Sequence, residues 1–439
     1  MKRLAKKVIS GVLSTAMMAL CATSLTACKI DETPKTTNSS FNYETDMQYI
    51  YYGTGGRYEP MTKSDTGYYY VGEHDMIIYI DKESQKATPL CSKPNCLHSD
   101  PEACDAYFDL ATDVDVTFFT MSVPIQYYKG NLYMVTKQWS DDGLSSEYYL
   151  TKTNKSGKNA ENITKPLDFS VCKWMIHRGY FYYATDYSIQ RIDLDNPKSK
   201  PEKIFTLSEG QSYEGSQNAF HSIIAYGDYI YFRVFNNSVD NKNTSSFTMP
   251  CFYSLNTSTL ESVRLEHQNE EVGIDTFYND KLIFHIVKNG KLESYMSDLN
   301  GDNPEKIEMG DLEKSYISSD GMYLYYVDKA KSLSSESAPM ITPYDLNMKQ
   351  VDTFKLAEKG NDKLFSPQDE RFFVYINKDE NGENQLVLAD KSQIGNVNGG
   401  VIEYKTLCKL NWYEVPDVPY IVSSGEEVKP DNDRFVDNQ

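Results

Sequence analysis

Apolar and polar residues alternate along most of the chain, and the alternation comes in blocks that repeat. Each block starts at a turn residue, continues as a Tyr-rich strand and leads through a hairpin to a second strand and then a third. In one copy, Gly179–Tyr183 leads to Ile189–Leu194. Alternation with a period of two is typical of half-buried β-strands, and a repeat of about 50 residues is typical of propellers. Seven copies start near residues 67, 130, 179, 227, 280, 321 and 370.

The repeat predicts an all-β fold. A single four-stranded sheet cannot bury both of its faces, whereas sheets packed radially bury them and leave only short edges. We therefore predict a β-propeller over residues 41–420, with seven blades of four antiparallel strands, and a polar C-terminal tail over residues 421–439. Propellers of six or eight blades remain alternatives. One large β-sandwich or two β-domains are disfavoured because the repeat continues beyond what a sandwich needs.

Two turns support this strand pairing. Asn289-Gly290 separates two alternating segments, which predicts a type I′ hairpin, and Asn381-Gly382 predicts another in the last unit. For closure of the ring, residues 41–50 are expected to pair with residues 401–415.

Two segments carry a resemblance to known propellers. Tyr183-Ala184-Thr185-Asp186, followed by Ile192–Asn196, resembles a YWTD repeat in which Ala replaces Trp. Asp298–Pro304 is similar to the turn that joins the last two strands of a blade in YWTD and TolB-like propellers. The layout also resembles β-propeller lipoproteins of anaerobic Gram-positive bacteria. The resemblance implies a fold and a location, and it implies no substrate.

The N-terminal segment has the pattern of an export signal. Four basic residues lie within residues 1–7, and the apolar run that follows, Val8–Ala22, is too short to span about 30 Å of hydrocarbon comfortably. Leu25-Thr26-Ala27-Cys28 then resembles the lipobox of bacterial lipoproteins, which implies cleavage after residue 27 and a lipid on Cys28. Residues 28–40 are polar and predict a flexible tether. The alternative is an ordinary secretory signal with a chance cysteine.

Charge and composition exclude several classes of protein. The formal charge is −19, and loss of the basic segment 1–27 makes it −23. This charge argues against nucleic-acid binding and against electrostatic adsorption to anionic lipid. An aromatic content of 13 %, with 35 Tyr, argues against disorder. Most Tyr alternate within strands, so we expect them between blades. We predict that the protein lies at the extracytoplasmic face of the cell membrane, where the lipid on Cys28 anchors it.

One loop carries candidate chemistry. Cys91, Cys96, His98 and Cys104 lie in a polar, Pro-containing segment between the first two units. A disulfide from Cys91 to Cys104 is favoured because extracytoplasmic compartments are commonly oxidising, and no cofactor is then expected. A zinc site with three sulfurs and one imidazole is the alternative, although the ligand spacing is unusual and His98 follows Cys96 closely. Free thiols are the third alternative. Cys172 is a candidate partner for the odd cysteine, and Cys251 and Cys408 are expected to be buried in strands.

The sequence favours a binding module over an enzyme. It contains no Gly-x-Ser-x-Gly elbow, no His-Glu-x-x-His helix and no Walker A loop. We predict recognition of an extracellular protein, peptide or glycan. The alternative is a carbohydrate-active enzyme with carboxylates in the propeller channel, for which Asp113 and Asp115 are weak candidates, and a third hypothesis is an assembly partner in the envelope. An enzyme should bring two or more carboxylates or a His–carboxylate pair to the channel, whereas a binding module should expose an aromatic or apolar patch.

Overall fold

The computed structural model describes most of the predicted propeller domain. The described residues are 41–42, 44–48, 61–72, 75–98, 100–111, 125–139, 145–167, 173–185, 187–207, 220–234, 237–239, 245–247, 251–310, 312, 315–328, 338–358, 371–409, 420–421 and 427–428. The predicted signal, Cys28 and the tether, together with Asp113, Asp115 and Cys172, lie outside them. Among the described residues no helix is long and apolar enough to cross a membrane.

The first three blades are four-stranded antiparallel sheets in which the strands follow chain order. Blade 1 contains β1 (Met61–Lys63), β2 (Gly67–Val71), β3 (Ile77–Asp81) and β4 (Lys86–Pro89). Blade 2 contains β5 (Gln126–Tyr128), β6 (Asn131–Trp139), β7 (Ser146–Asn154) and β8 (Glu161–Asn162). Blade 3 contains β9 (Trp174–His177), β10 (Tyr180–Ala184), β11 (Ser188–Asp193) and β12 (Glu202–Thr206).

Blades 4 and 5 each carry an additional short hairpin beside or before the sheet. Blade 4 contains β13 (Phe220–Tyr226), β14 (Tyr229–Val234), β17 (Cys251–Asn256) and β18 (Ser262–Arg264), with β15 (Asn237–Val239) and β16 (Ser245–Phe247) paired separately. The pair β19 (Glu266–His267) and β20 (Glu270–Glu271) precedes blade 5. Blade 5 contains β21 (Gly273–Tyr278), β22 (Lys281–Lys288), β23 (Lys291–Ser297) and β24 (Glu305–Ile307).

The last two blades have three strands each among the described residues. Blade 6 contains β25 (Ser315–Ser319), β26 (Leu324–Asp328) and β27 (Ile341–Tyr344), and isolated bridges from Gln350 and Phe354 occupy its fourth position. Blade 7 contains β28 (Phe372–Lys378), β29 (Asn384–Asp390) and β30 (Tyr404–Lys409), with a 3₁₀ turn at Lys391–Gln393. A separate pair, β31 (Tyr420–Ile421) and β32 (Glu427–Val428), follows.

The seven sheets form a closed ring, as predicted. The first strands of neighbouring blades contact one another, β1 with β5, β5 with β9, β9 with β13 and β21 with β25, so these strands are innermost. An apolar cluster fills each interface between blades. The ring closes where Val374 and Leu386 of blade 7 pack against Tyr68 and Ile80 of blade 1. The predicted Tyr cores are confirmed, since fully buried side chains include Tyr68, Tyr69, Tyr182, Tyr183, Tyr231, Tyr278, Tyr325 and Tyr375.

The two Asn-Gly turns differ from each other. Lys288 pairs with Lys291, and both Asn289 (φ 52°) and Gly290 (φ 75°) adopt positive φ, which confirms the two-residue hairpin. In blade 7 the pairing resumes only at Lys378 and Asn384, which leaves a five-residue loop. There the Asp379 carboxylate accepts the N–H groups of residues 381 and 383, so the prediction of a second type I′ turn is wrong.

The prediction for ring closure by residues 41–50 is also wrong in the described part of the chain. Residues 404–409 pair with β29, and residues 41–42 and 44–48, here called the strap, cross the end of the ring where first strands turn into second strands. Gln48 bonds the backbone of Lys63 in blade 1, and Met47 N–H donates to His177 Nδ1 in blade 3 over 3.1 Å. The ring of Phe41 packs 5.6 Å from that of Tyr226 in blade 4. The strap therefore joins blades that are not neighbours.

Candidate metal centre

The cysteine-containing loop, residues 90–111, connects the outer strand of blade 1 to blade 2. After Cys104 the chain returns along blade 1, where Ile77 N–H donates to Ala106 O over 2.8 Å and Met76 forms a bridge with Tyr107. It then runs along β6, where Leu110 forms a bridge with Thr136. The loop therefore lies at the end of blade 1 that carries the β2–β3 connection, opposite to the end that carries the strap.

Four potential ligand atoms converge in this loop. The three sulfurs of Cys91, Cys96 and Cys104 and one ring nitrogen of His98 all lie within 4.8 Å of one another. His98 Nδ1 is 3.2 Å from Cys104 Sγ. Cys104 is buried, and the other three residues are half-buried. Three sulfurs and one imidazole are the donor set of a closed tetrahedral metal site, so the residues fit a soft divalent ion.

Backbone conformation explains how closely spaced ligands reach one point. Asn95 (φ 60°) and His98 (φ 58°) both adopt the left-handed region, which reverses the chain on either side of Cys96. Asn tolerates this region well, and His is also enriched there. The Tyr107 hydroxyl donates to His98 O over 2.9 Å and fixes the second reversal. The close spacing of Cys96 and His98, which counted against a zinc site in the sequence, therefore does not keep their ligand atoms apart.

The pKa values of the Cys104 and Cys91 thiols shift in opposite directions. Burial raises the pKa of the Cys104 thiol to about 12. For Cys91, burial acts in the same direction, but the backbone N–H groups of Lys93 and Asp105 and the neighbouring thiols outweigh it and lower the pKa. A metal ion would take up both groups as thiolates.

A charged pair braces the loop beside the cluster. Lys93 Nζ lies 2.8 Å from Asp105 Oδ1 and donates to Ala103 O over 2.7 Å. Lys93 precedes Cys96 and Asp105 follows Cys104, so the pair ties the two halves of the loop together. The Lys93 and Asp105 side chains are 48 % and 37 % exposed, so solvent screens the pair and it contributes little to stability by itself.

The structure does not contain the favoured disulfide. Cys91, Cys96 and Cys104 are free thiols. Cys251 and Cys408 are buried in strands β17 and β30, which confirms the expectation for these two residues. The preference for a Cys91–Cys104 bond rested on the compartment. The geometry instead places a third sulfur and an imidazole within ligand distance of the same two thiols.

The described residues also contain a His–carboxylate pair that sequence reasoning missed. His285 Nδ1 lies 2.9 Å from Asp275 Oδ1, and both residues are buried on blade 5. The two are separated by ten positions on different strands. No spacing motif marks them, because a β-bulge at Asp275 interrupts the alternation that would have shown its direction.

Comparisons with known proteins give similarity of fold only. No family model matches the chain, and no curated protein matches it. Oligogalacturonate lyase from Vibrio parahaemolyticus is 14 % identical over 76 % of this chain and 84 % of its own, with a TM-score of 0.43. TolB from Acinetobacter baumannii is 15 % identical over 79 % and 81 %, with a TM-score of 0.31. Dipeptidyl peptidase 4 from Porphyromonas gingivalis is 10 % identical over 84 % and 60 %, with a TM-score of 0.39.

Proposed function

We propose that this protein is a lipid-anchored, extracytoplasmic propeller that binds a protein, peptide or glycan. Binding would use the cysteine-containing loop, residues 90–111, braced by a metal ion and here called the metal-braced loop. The observation that carries the proposal is the position of Leu97 between two potential ligands, Cys96 and His98. Its side chain is 85 % exposed, the highest exposure among the large hydrophobic residues described. A rigid loop that displays an apolar side chain loses little conformational freedom on binding, which favours recognition.

Zinc is the proposed ion. Three thiolates and a neutral imidazole match its preference for sulfur and nitrogen ligands in tetrahedral structural sites. With Zn²⁺ the donor set carries a charge of −1, and the nearby Lys93 ammonium partly balances it. The donor set leaves no coordination position for substrate, so the ion would brace the loop and take no part in catalysis.

Metal analysis combined with peptide mapping under non-reducing conditions tests the centre. We expect one zinc per chain, with Cys91, Cys96 and Cys104 recovered as free thiols after denaturation in a chelator. Cys96→Ser should lower the zinc content well below one, whereas Cys251→Ser, which alters a buried thiol in blade 4, should leave it unchanged. A Cys91–Cys104 disulfide without metal would contradict the zinc proposal.

The anchor is tested separately by mass spectrometry of the protein purified from membranes. We expect an N-terminal peptide that starts at an acylated Cys28, and Cys28→Ser should release the protein from the membrane fraction. Recovery of an unmodified N-terminus in the mature protein would contradict the anchor and leave the zinc centre unaffected.

The recognition surface is tested by crosslinking in intact cells followed by purification. Leu97→Ser should lose the crosslinked species that the unaltered protein captures. Leu346→Ser is the matched control, because Leu346 is also exposed, at 58 %, but lies on the turn after β27 in blade 6. Equal capture by both variants would contradict a role for the metal-braced loop.

A further inference from the structure

Blade 5 carries a polar site on its innermost strand, far along the chain from the metal centre. In β21 the register shifts between Ile274 and Thr276, so Asp275 is the extra residue of a β-bulge. Its carboxylate lies 2.9 Å from His285 Nδ1 on the adjacent strand β22. Bulges re-aim side chains and are common beside functional sites. Here the bulge turns the Asp275 carboxylate toward the His285 imidazole, a contact that regular alternation along the strand would not produce.

A glycine allows the imidazole to lie across the inner strand. His285 is paired with Gly273, and a Cβ at residue 273 would lie 2.4 Å from His285 Nε2. The ring therefore covers the backbone of the strand that lines the channel, with Nε2 above it. A carboxylate at Nδ1 favours the tautomer that carries the proton there and makes Nε2 the acceptor. The pair is not sealed from solvent, since a tenth of the His285 side chain is exposed.

Unsatisfied oxygens lie on the strands that carry this pair, on the adjacent strand β23 and on the hairpin before them. Buried side-chain atoms without a hydrogen-bond partner include Asp275 Oδ2, Thr276 Oγ1, Ser294 Oγ and Glu271 Oε2. Ser294 is paired directly with His285, and Asp275 itself is only 5 % exposed. A buried polar atom without a partner destabilises the fold, and native folds keep few of them. Four such atoms between residues 271 and 294 indicate a place where a ligand supplies the missing hydrogen bonds.

We propose that this corner of blade 5 binds the hydroxyl groups of a saccharide. Carboxylate oxygens only accept hydrogen bonds, so the ligand must donate, and the hydroxyls of Thr276 and Ser294 can donate in return. Arg264 already pairs with Glu271, which makes a strongly cationic ligand less suitable. Among the described residues the group that converges at metal-binding distances is the cysteine cluster, and Asp275 and His285 belong to no such group.

The inference names a ligand class for the proposed binding module and in that respect rests on it. The residues involved differ from Cys28 and from the metal-braced loop. A failure here therefore leaves the anchor, the zinc and the Leu97 surface as they stand, and the failure of any of those leaves this site intact.

Titration of the purified protein with lactose, cellobiose or maltose tests the site. The imidazole of His285 is observed by ¹H–¹⁵N correlation in protein labelled at histidine, and its signals are assigned from His285→Gln. We expect a saturable shift with at least one disaccharide at millimolar concentration. Asp275→Asn should weaken binding about tenfold or more because a charge-assisted hydrogen bond is lost. Ser294→Ala should weaken binding by a smaller factor.

Two controls make the result decisive. His267→Gln alters a histidine that packs edge-to-face against Tyr295 in the same region, and it should leave the disaccharide shift unchanged. Ser294→Ala changes one small hydroxyl, so it retains the fold if Asp275→Asn does not. The proposal is overturned if none of the three disaccharides shifts the His285 signals, if Asp275→Asn and Ser294→Ala both bind as tightly as the unaltered protein, or if ethanolamine shifts them and no disaccharide does.

Discussion

At the scale of single residues, His177 links the strap to the ring through both ring nitrogens. Nδ1 accepts Met47 N–H, so Nε2 carries the proton and donates to Gly227 O over 2.7 Å. Burial lowers the pKa of His177 to about 4. The unfolded chain therefore binds a proton between about pH 6.5 and pH 4 that the folded chain does not, and stability is lost as the pH falls through this window.

We predict a pH effect of about 3 kcal/mol from this residue between pH 7.5 and pH 4. His177→Gln is the test variant because its amide can accept from Met47 and donate to Gly227 without titrating. Urea unfolding at several pH values should show a shallower pH dependence for the variant than for the unaltered protein. Identical slopes would assign the acid sensitivity to carboxylates elsewhere.

Lys391 and Asp320 form a buried ion pair between blades 7 and 6. Each side chain is 1 % exposed, and Asp320 also accepts the Tyr325 hydroxyl over 2.6 Å and the N–H groups of residues 322 and 323. Replacement of Lys391 by Met leaves a buried carboxylate without its cation. We predict a loss of about 3–5 kcal/mol in the free energy of unfolding.

Chemical denaturation of Lys391→Met measures this loss. Lys409→Met is the control, because Lys409 pairs with Glu383 on the surface of the same blade and half of its side chain is exposed. Exposed pairs contribute little, so the control should unfold near the midpoint of the unaltered protein. Similar midpoints for the two variants would contradict the prediction, because they would mean that the buried ion pair is no more stabilising than the apolar contact of Met.

At the scale of elements, the two Asn-Gly hairpins give a matched comparison. Asn289 holds a positive φ, whereas Asn381 does not. Left-handed backbone costs an ordinary residue about 1–2 kcal/mol, a cost that Asn partly avoids. We predict that Asn289→Ala destabilises the protein by about 1 kcal/mol and that Asn381→Ala stays within about 0.5 kcal/mol of the unaltered protein. Thermal unfolding of both variants measures the difference, and equal effects would contradict the assigned turn types.

The attachment of the strap to the ring depends mainly on one residue, Asp46. Asp46 is 4 % exposed and receives Arg178 Nε over 2.7 Å, and a second guanidinium nitrogen over 3.0 Å. We predict that Asp46→Asn loosens the strap and costs about 2 kcal/mol or more. Limited proteolysis should then cleave near residues 41–48 faster. Glu44→Gln, an exposed neighbour, should be cleaved at the original rate, and resistance of both variants would contradict this role of Asp46.

The seven Tyr-rich strand pairs followed from alternation alone, because side chains on strands that pack between blades must alternate. The first strand of each blade did not follow so readily. Some are only three residues long, such as Met61–Lys63 and Gln126–Tyr128, and β21 contains a bulge. The candidate metal ligands could be identified from the sequence as Cys and His residues in one loop. Their convergence on one point depends on left-handed backbone at Asn95 and His98, which no spacing pattern encodes.

At the scale of the whole molecule, the ring and the metal centre are separate sources of stability. Apolar contacts between blade 7 and blade 1 close the ring without any residue of the cysteine loop. The loop is attached instead through local hydrogen bonds, from Ile77 N–H in blade 1 to Ala106 O over 2.8 Å and from Ala111 N–H to Val135 O in β6 over 2.9 Å. Sites in proteins open locally with free energies well below that of global unfolding when few contacts hold them.

Removal of the metal should therefore open the loop and leave the ring folded. With zinc present, amides over residues 104–111 should exchange slowly, and a chelator should accelerate their exchange about tenfold or more, since metal binding free energy is folding free energy for such segments. Amides of β22 and β29 should exchange at unchanged rates. Hydrogen exchange measured by mass spectrometry resolves the three regions, and Cys96→Ser should reproduce the chelated pattern without a chelator. Acceleration across all blades would instead mean that the centre supports the whole ring.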